Sequence, residues 1–324
     1  MIGRRNLILV ASGGLGFLAA AHARAAERRI GWISPDTPEV MAPILAAFKA
    51  GLAATAPAAA EPIQVVERFA DRGPAMIPGH VVELQKLGVQ LIVAQGAASV
   101  PVVSANPSVP VVFGYSGDPV VAGIVQSLSR PGGNATGMTF MAIELMPKRI
   151  DLVRTILPAC RKIALLSNAR HAGEEAEIAA CQVAMATHGI ELSVHRLQSA
   201  ADAKATLASA LDGGAQAVIA LSSATMVQLT PVLAAGCQER RIALISGWAD
   251  SARAGALMTY GPNLREAYRR VAYYVVRILG GAQAGSLPIE QPTHFELVVN
   301  LRTARAIGVD IPPVIIAQAD EVIE

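Results

Sequence analysis

From Arg28 onward, short runs of aliphatic and β-branched residues alternate with longer stretches in which apolar residues recur three and four apart, the pattern of repeated strand–helix units. The first run, RRIGWIS at 28–34, is expected to be a strand, and a helix over 39–56 follows it with Phe48 and Leu52 on one face. Strands are expected again over 62–69, 89–95 and 110–115, with helices over 75–87 and 98–105 between them. The segment 129–140, SRPGGNATGMTF, interrupts this rhythm with Pro131, Gly132, Gly133 and Gly137 and reads as a turn or crossover. After a helix over 143–157 the alternation restarts: strands over 162–169, 191–198, 215–223 and 241–248, with helices over 173–187, 201–212 and before 241.

Two successive halves of this kind predict an α/β protein of two doubly wound parallel-sheet lobes with a cleft between them. The tail departs from a simple further unit. A strand over 256–262 precedes a helix over 264–279 that carries Tyr268, Val271, Val275 and Ile278 along one stripe, and 294–301 supplies one more strand before Pro312-Pro313. If the chain returns to the first lobe for 256–283, the lobes are 26–140 plus 256–283 and 141–255 plus 284–324. Three crossovers then make a multi-strand hinge.

Residues 1–25 have a different character. Arg4-Arg5 precede an apolar run from Leu7 to Ala21, and Ala23-Arg24-Ala25 places small residues where a signal peptidase reads them, which predicts a signal cleaved after Ala25. Gly13, Gly14 and Gly16 break the run, and no basic stop-transfer cluster follows, so a lasting membrane anchor is disfavoured. The arginine pair fits either a general secretory or a twin-arginine signal. A soluble periplasmic protein is expected, in a compartment without an ATP or NAD pool.

Composition agrees with aliphatic parallel sheets. The chain is 52% hydrophobic but only 4% aromatic, so Ala, Val, Ile and Leu fill the interior. A formal charge of +2, with Arg4, Arg5, Arg24 and Arg28 in or beside the signal, leaves no clustered basic surface for nucleic acid. Cys160, Cys181 and Cys237 show no metal-ligand spacing. One disulfide could form in an oxidising compartment, but Cys181 falls mid-helix and Cys160 before a strand, which favours buried thiols acting as small apolar residues.

In open parallel sheets, ligands bind outside the carboxyl ends of the strands, where helix N-termini present free N–H groups. In the first lobe that rule selects Ser34, Pro35, Gln95, Gly96, Ala97, Ala98, Ser99, Tyr115, Ser116 and Asp118. In the second it selects Ser167, Asn168, His171, Ser222, Ser223, Thr225, Trp248 and Asp250. Gly96-Ala97-Ala98-Ser99 suits a carboxylate, since small side chains let a ligand reach the backbone; the alternative is an ordinary strand-to-helix turn capped by Ser99. Asp118 either caps a helix that begins at Pro119 or meets a ligand ammonium or hydroxyl. Tyr115 and Trp248, at strand ends on opposite lobes, could sandwich a flat ligand, whereas Trp32 lies within a strand and reads as core.

Three stretches, FGYSGDPVVAGIVQSLSRPGGNATG (113–137), MTYGPNLREAYRRVAYYVVRILGG (258–281) and PIEQPTHFELVVNLRTARAIGVDIPP (288–313), resemble the ABC-transporter substrate-binding family related to tryptophan and tyrosine uptake receptors. The resemblance implies a type I periplasmic-binding fold whose lobes close around a small molecule and present it to an ABC permease, as a monomer and without a cofactor. Asn168 is similar to the family's asparagine at that strand end. The pattern departs at Ser222-Ser223-Ala224-Thr225, where tryptophan-receptor relatives tend to carry an Asp-Asn pair. That change removes a partner for an α-ammonium group and points to a neutral or acidic cargo. A periplasmic sensor for a membrane kinase or chemoreceptor would share all of these features. An exported enzyme is disfavoured, because 26–324 carry no G-x-S-x-G turn, zinc-type His pair or phosphate loop.

Overall fold

The computed structural model describes residues 28–56, 62–169 and 174–324. The first lobe opens with β1 (Arg28–Ser34), α1 (Pro38–Thr55), β2 (Ile63–Phe69), α2 (Ile77–Lys86), β3 (Ile92–Gln95), α3 (Ser99–Ser104), β4 (Val111–Tyr115) and β5 (Ala135–Thr139). The chain then crosses into α4 (Met146–Ile156), β6 (Lys162–Asn168), α5 (Glu174–Thr187), β7 (Glu191–Leu197), α6 (Ala203–Asp212), β8 (Ala217–Ala220), α7 (Ala224–Glu239), β9 (Ala243–Ser246), α8 (Ala249–Arg253) and β10 (Met258–Gly261). The tail comprises α9 (Leu264–Leu279), β11 (Glu296–Asn300), α10 (Leu301–Ile307), α11 (Pro313–Gln318) and β12 (Glu321–Ile323).

Five parallel strands in the order β2-β1-β3-β4-β5 form the first sheet, and seven in the order β12-β11-β10-β9-β8-β6-β7 form the second. The two-lobed α/β class expected from the alternation is the fold. Within the second sheet β11 runs antiparallel to β10, with Met258 opposite Val299. Topology explains the reversal: the chain leaves β10 at its C-terminal end, visits the first lobe as α9, and re-enters from the same side, so its next strand must run the other way.

The tail divides differently from the expected boundaries. Strand 258–261 belongs to the second sheet, pairing with β9 as well as β11, and not to the first lobe. α9 does return, burying Tyr268, Val271 and Val275 in one cluster with Met41, Ile44 and Phe48 of α1. Residues 284–290 also stay with the first lobe. Thr136 Oγ1 donates to the Leu287 carbonyl at 2.7 Å, and Glu290 exchanges backbone hydrogen bonds with Gly137 and Thr139 at 3.0 and 3.1 Å. The apolar pattern of 256–262 suits either sheet; its place is fixed by long-range pairing.

The glycine-rich stretch 129–140 contains a strand, β5, that its turn-like composition conceals. Gly137 has φ +151°, and a Cβ there would collide with the Phe113 backbone on β4, so glycine permits the close pairing of the two strands.

Arg149 ties the crossovers together. Its side chain is 2% exposed; Nε donates to the Tyr260 carbonyl at 2.8 Å and Nη1 to that of Ala142 at 3.3 Å, joining the first crossover to the second. Gly247 and Gly261 lie against it: a Cβ on Gly261 would strike the Gly247 carbonyl oxygen, and one on Gly247 the Ser222 hydroxyl and the Arg149 guanidinium. Burial lowers the pKa of Arg149 to about 10, still charged at neutral pH. The three cysteines are free and buried, as small apolar residues would be. Burial pushes the Cys181 and Cys237 thiols up to about 12.

Candidate functional site

The carboxyl ends of both sheets face a cavity of about 210 Å³ between the lobes. From the first lobe, the turn after β1 brings Asp36, β3 brings Gln95 to Ala97, β4 brings Ser116, the first crossover brings Phe140, and α9 brings Tyr268. From the second, β6 brings Asn168, β7 leads into Gln198 to Ala200, the start of α7 brings Ser223 to Met226, and Trp248 follows β9. A hollow of about 650 Å³ lies at the opposite end of the first lobe, beside Arg28, Gln90 and Asn134 at the starts of its strands. The inter-lobe cavity is the stronger candidate because strand ends and polar groups from two bodies converge on it.

A short hydrogen-bonded chain spans the cavity. Thr225 Oγ1 donates to Asp36 Oδ1 at 2.6 Å, linking the lobes, and accepts from Asn168 Nδ2 at 3.3 Å. Each member is placed by local structure. The Asp36 amide donates to Ser34 Oγ at 3.2 Å, and Ser34 in turn donates to Gln95 at 3.3 Å, which fixes the turn after β1. Ser223 caps α7 by accepting from the Met226 amide at 3.2 Å, setting Thr225 in the first turn of a 16-residue helix.

Aromatic surface comes from a stack that begins in the first-lobe core. Trp32 lies 5.0 Å from Phe48 and 5.7 Å from Tyr268, and Tyr268 lies 5.6 Å from Phe140, measured between ring centroids. Tyr268 and Phe140 reach the cavity, with Trp248 on the second-lobe side. Burial drives the Tyr268 phenol far above its ordinary pKa, so it remains protonated and donates to the Gly114 carbonyl at 3.4 Å.

The sequence-selected residues divide into those at the cavity and those turned from it. Gly96, Ala97, Ser116, Asn168, Ser223 and Trp248 line it, as do Pro35, Gln95 and Thr225. Ser34 is fully buried beneath it. Ala98 and Ser99 are buried, and Ser99 donates to the Ala94 carbonyl at 3.4 Å, the local bond of an ordinary turn. A single 3₁₀ turn over Gly96–Ala98 separates β3 from the six-residue α3, so the small-residue run presents only its first two members.

Tyr115 is 1% exposed and absent from the cavity wall, so no Tyr115–Trp248 sandwich exists in this structure. Burial, with Glu177 and Asp118 nearby, pushes its phenol up to about 12. Asp118 accepts from the Val120 and Val121 amides at 2.7 and 3.2 Å, the capping bonds expected, although they close a turn and not a helix. Asp250 is spent on Arg253 and Arg265, at 3.0 and 3.2 Å. His171 lies outside the described residues.

Asp36, Phe140 and Tyr268 escaped the sequence reading. Asp36 sits two residues past its strand, Phe140 follows the concealed β5, and the helical stripe containing Tyr268 signals packing without showing that its ring reaches a cavity.

Residues 65–323 match the family model described as ABC transporter substrate binding protein. The tyrosine-binding protein of Clostridioides difficile strain R20291 is 22% identical over 205 residues, 63% of this chain; the match spans 58% of that relative's length. Among solved structures, an ABC domain in complex with L-Trp from Streptococcus pneumonia aligns with a TM-score of 0.84 at 18% identity, covering 92% of this chain and 100% of that one. A conserved domain protein from Vibrio cholerae O1 biovar El Tor aligns with the same score at 21% identity, covering 91% and 99%. These structures share the fold. The chain belongs to the ABC transporter substrate-binding protein family.

Proposed function

We propose that this member of the family is exported under the signal in its first 25 residues, captures a small solute in the inter-lobe cavity and delivers it to an ABC permease. The observation that carries this reading is the cavity itself: both sheets end on it, and the Thr225–Asp36 bond crosses it only when the lobes meet. Its volume of about 210 Å³ matches a solute the size of an amino acid or small aromatic acid. Phe140, Tyr268 and Trp248 supply apolar faces for such a body, and Asn168, Ser116 and Ser223 supply polar contacts. A tyrosine-binding relative supports a solute of this class.

The test is a thermal-shift screen of amino acids, amines, nucleosides and organic acids on the purified mature protein, with bound material identified afterwards by mass spectrometry. A solute specific for the folded protein should stabilise it by about 2.7 kcal/mol at a hundredfold excess over its dissociation constant and return unchanged. Turnover of a bound solute, or no shift across the screen, would refute binding-only function. For export, N-terminal sequencing of the periplasmic fraction should begin at Ala26; a mature protein retaining Met1 would sink it.

A further inference from the structure

Resting on the reading that the lobes close over the cavity, we propose that Met141 is the pivot of closure: its backbone is left-handed in the closed form and ordinary in the open one, which biases the unliganded protein toward opening. Three non-glycine residues among those described have φ in the left-handed region, Asn106 at +47°, Arg241 at +57° and Met141 at +55°. The first two stand just past the ends of α3 and α7, where a left-handed residue commonly ends a helix. Met141 follows no helix. It lies in the first crossover, between β5 and α4, and its side chain has no short polar group to favour this conformation locally.

A residue in this region persists only where its surroundings over-determine it. The first lobe holds the chain as far as this point: the Phe140 and Ala142 amides donate to the Tyr115 and Ser116 carbonyls at 2.7 and 2.9 Å, and the Met141 amide donates to Thr139 Oγ1 at 3.3 Å. The hold then passes to the second lobe. The Met141 carbonyl accepts from the Leu145 amide at 3.1 Å on the approach to α4, and the Ala142 carbonyl accepts from Arg149 Nη1 at 3.3 Å. The handover takes place within Met141 and Ala142, so a rotation of one lobe against the other must turn their torsions.

The Thr225–Asp36 bond joins the lobes in this structure, which places the left-handed Met141 in the closed arrangement. Phe140 and Ser116, through which the first lobe grips the crossover, also line the cavity. A solute packed against them bears on the same backbone, and its contacts offset the cost of the strained turn.

Glycine adopts the left-handed region freely, whereas alanine keeps the penalty while losing the side chain, so Met141→Gly against Met141→Ala isolates the torsion. Spin labels at Val82→Cys on α2 and Val183→Cys on α5, exposed at 49% and 70% on opposite lobes, report the interlobe distance by double electron–electron resonance; the three native cysteines are buried. Without solute, Met141→Gly should raise the ratio of closed to open form about fivefold or more over Met141→Ala, which should match the wild type. Met141→Asn, whose short side chain tolerates the region, should fall between them, and it makes the same comparison if the glycine variant does not fold. With L-tyrosine and L-tryptophan as probes, any that binds should bind Met141→Gly more tightly by the same factor. Equal distance distributions for the glycine and alanine variants, in a protein whose wild type moves between two distances, overturn the pivot alone, as does a shift of the glycine variant toward the open form. A single distance in the wild type and every variant, unmoved by either probe, overturns lobe closure and the solute-capture reading with it.

Discussion

The first-lobe wall of the cavity presents Asp36, Asp71, Phe140 and Tyr268, whereas the second-lobe wall presents Asn168, Ser223, Thr225 and Trp248 and, among the described residues, no charge. The difference continues behind the surface. Tyr268 and Phe140 are the outer end of a stack running back through Trp32 to Phe48, so the first wall is an exposed edge of its own core. The second wall is made of strand-end residues and the first turn of α7, where hydroxyls and amides are set by capping. One lobe therefore offers a charged and aromatic surface, and the other faces it with small polar groups and a single ring.

The largest expected effect separates the two tryptophans. Trp32 is fully buried between Phe48 and Tyr268, and Trp32→Ala should cost about 3–5 kcal/mol of unfolding free energy, because the surrounding rings cannot collapse into the space. Trp248 lines the cavity, so its truncation leaves a hollow that opens to the cleft and admits water. Trp248→Ala should cost less than half as much in stability and weaken solute binding. Urea unfolding of both variants measures the contrast; equal losses would show that the second wall is as much a part of its lobe's core as the first.

A smaller effect distinguishes the hinge from the seat. Gly261→Ala drives a Cβ into the Gly247 carbonyl beside Arg149, where backbone faces backbone and neither can yield cheaply. A destabilisation of up to about 3 kcal/mol is expected, together with weaker binding, since the crossover tied by Arg149 must shift. Gly96→Ala on the cavity floor meets no atom within 4 Å, and only its φ of +53° resists, at about 1–2 kcal/mol. Should Gly261→Ala leave both stability and affinity intact, the second crossover tolerates displacement and is no part of a precise hinge.

The alternation of strands and helices was legible because each element is patterned by its own neighbours. Ten of the twelve described strands follow from local signals, and the other two fail for particular reasons. β5 hides behind Pro131, Gly132 and Gly133, and the three-residue β12 is too short for period-two alternation to register. Sheet membership was not legible at 256–262, since an apolar run does not name its partner. The strand-end rule found Asn168, Ser223 and Trp248 because the apolar runs that mark their strands reach to them, and it misplaced Tyr115 because the rule gives the end of a strand without the direction of the ring. Asp36 was missed for a related reason: its local turn does not reveal that it meets Thr225, 189 residues away in sequence.

The smallest expected effect concerns which lobe holds the third crossover. Glu290 lies on it and accepts from Arg270 of α9 through two bonds, Nε to Oε2 and Nη2 to Oε1, each 2.6 Å, while Arg270 also stacks over Tyr273 with its Cζ 3.8 Å from the ring centroid. Hydrogen bonding to Arg270 holds the Glu290 carboxyl below its ordinary value of 4.5. A carboxyl with a lowered folded-state pKa stabilises the protein above its unfolded value, and that contribution fades as pH falls through the folded one. Both side chains are partly exposed, at 43% and 34%, so solvent screening limits the pair to about 0.5–1 kcal/mol. Glu290→Gln should therefore lower unfolding free energy by that amount at pH 7, with the difference shrinking below pH 4.5 as the wild-type carboxyl takes up its proton. Solute affinity should barely change, because the pair pins the crossover to the first lobe and touches neither cavity wall. Urea unfolding at pH 7 and at pH 3 measures it: a deficit of the same size at both would mean that Glu290 holds the crossover by shape, and that the charged clamp on the first lobe contributes nothing.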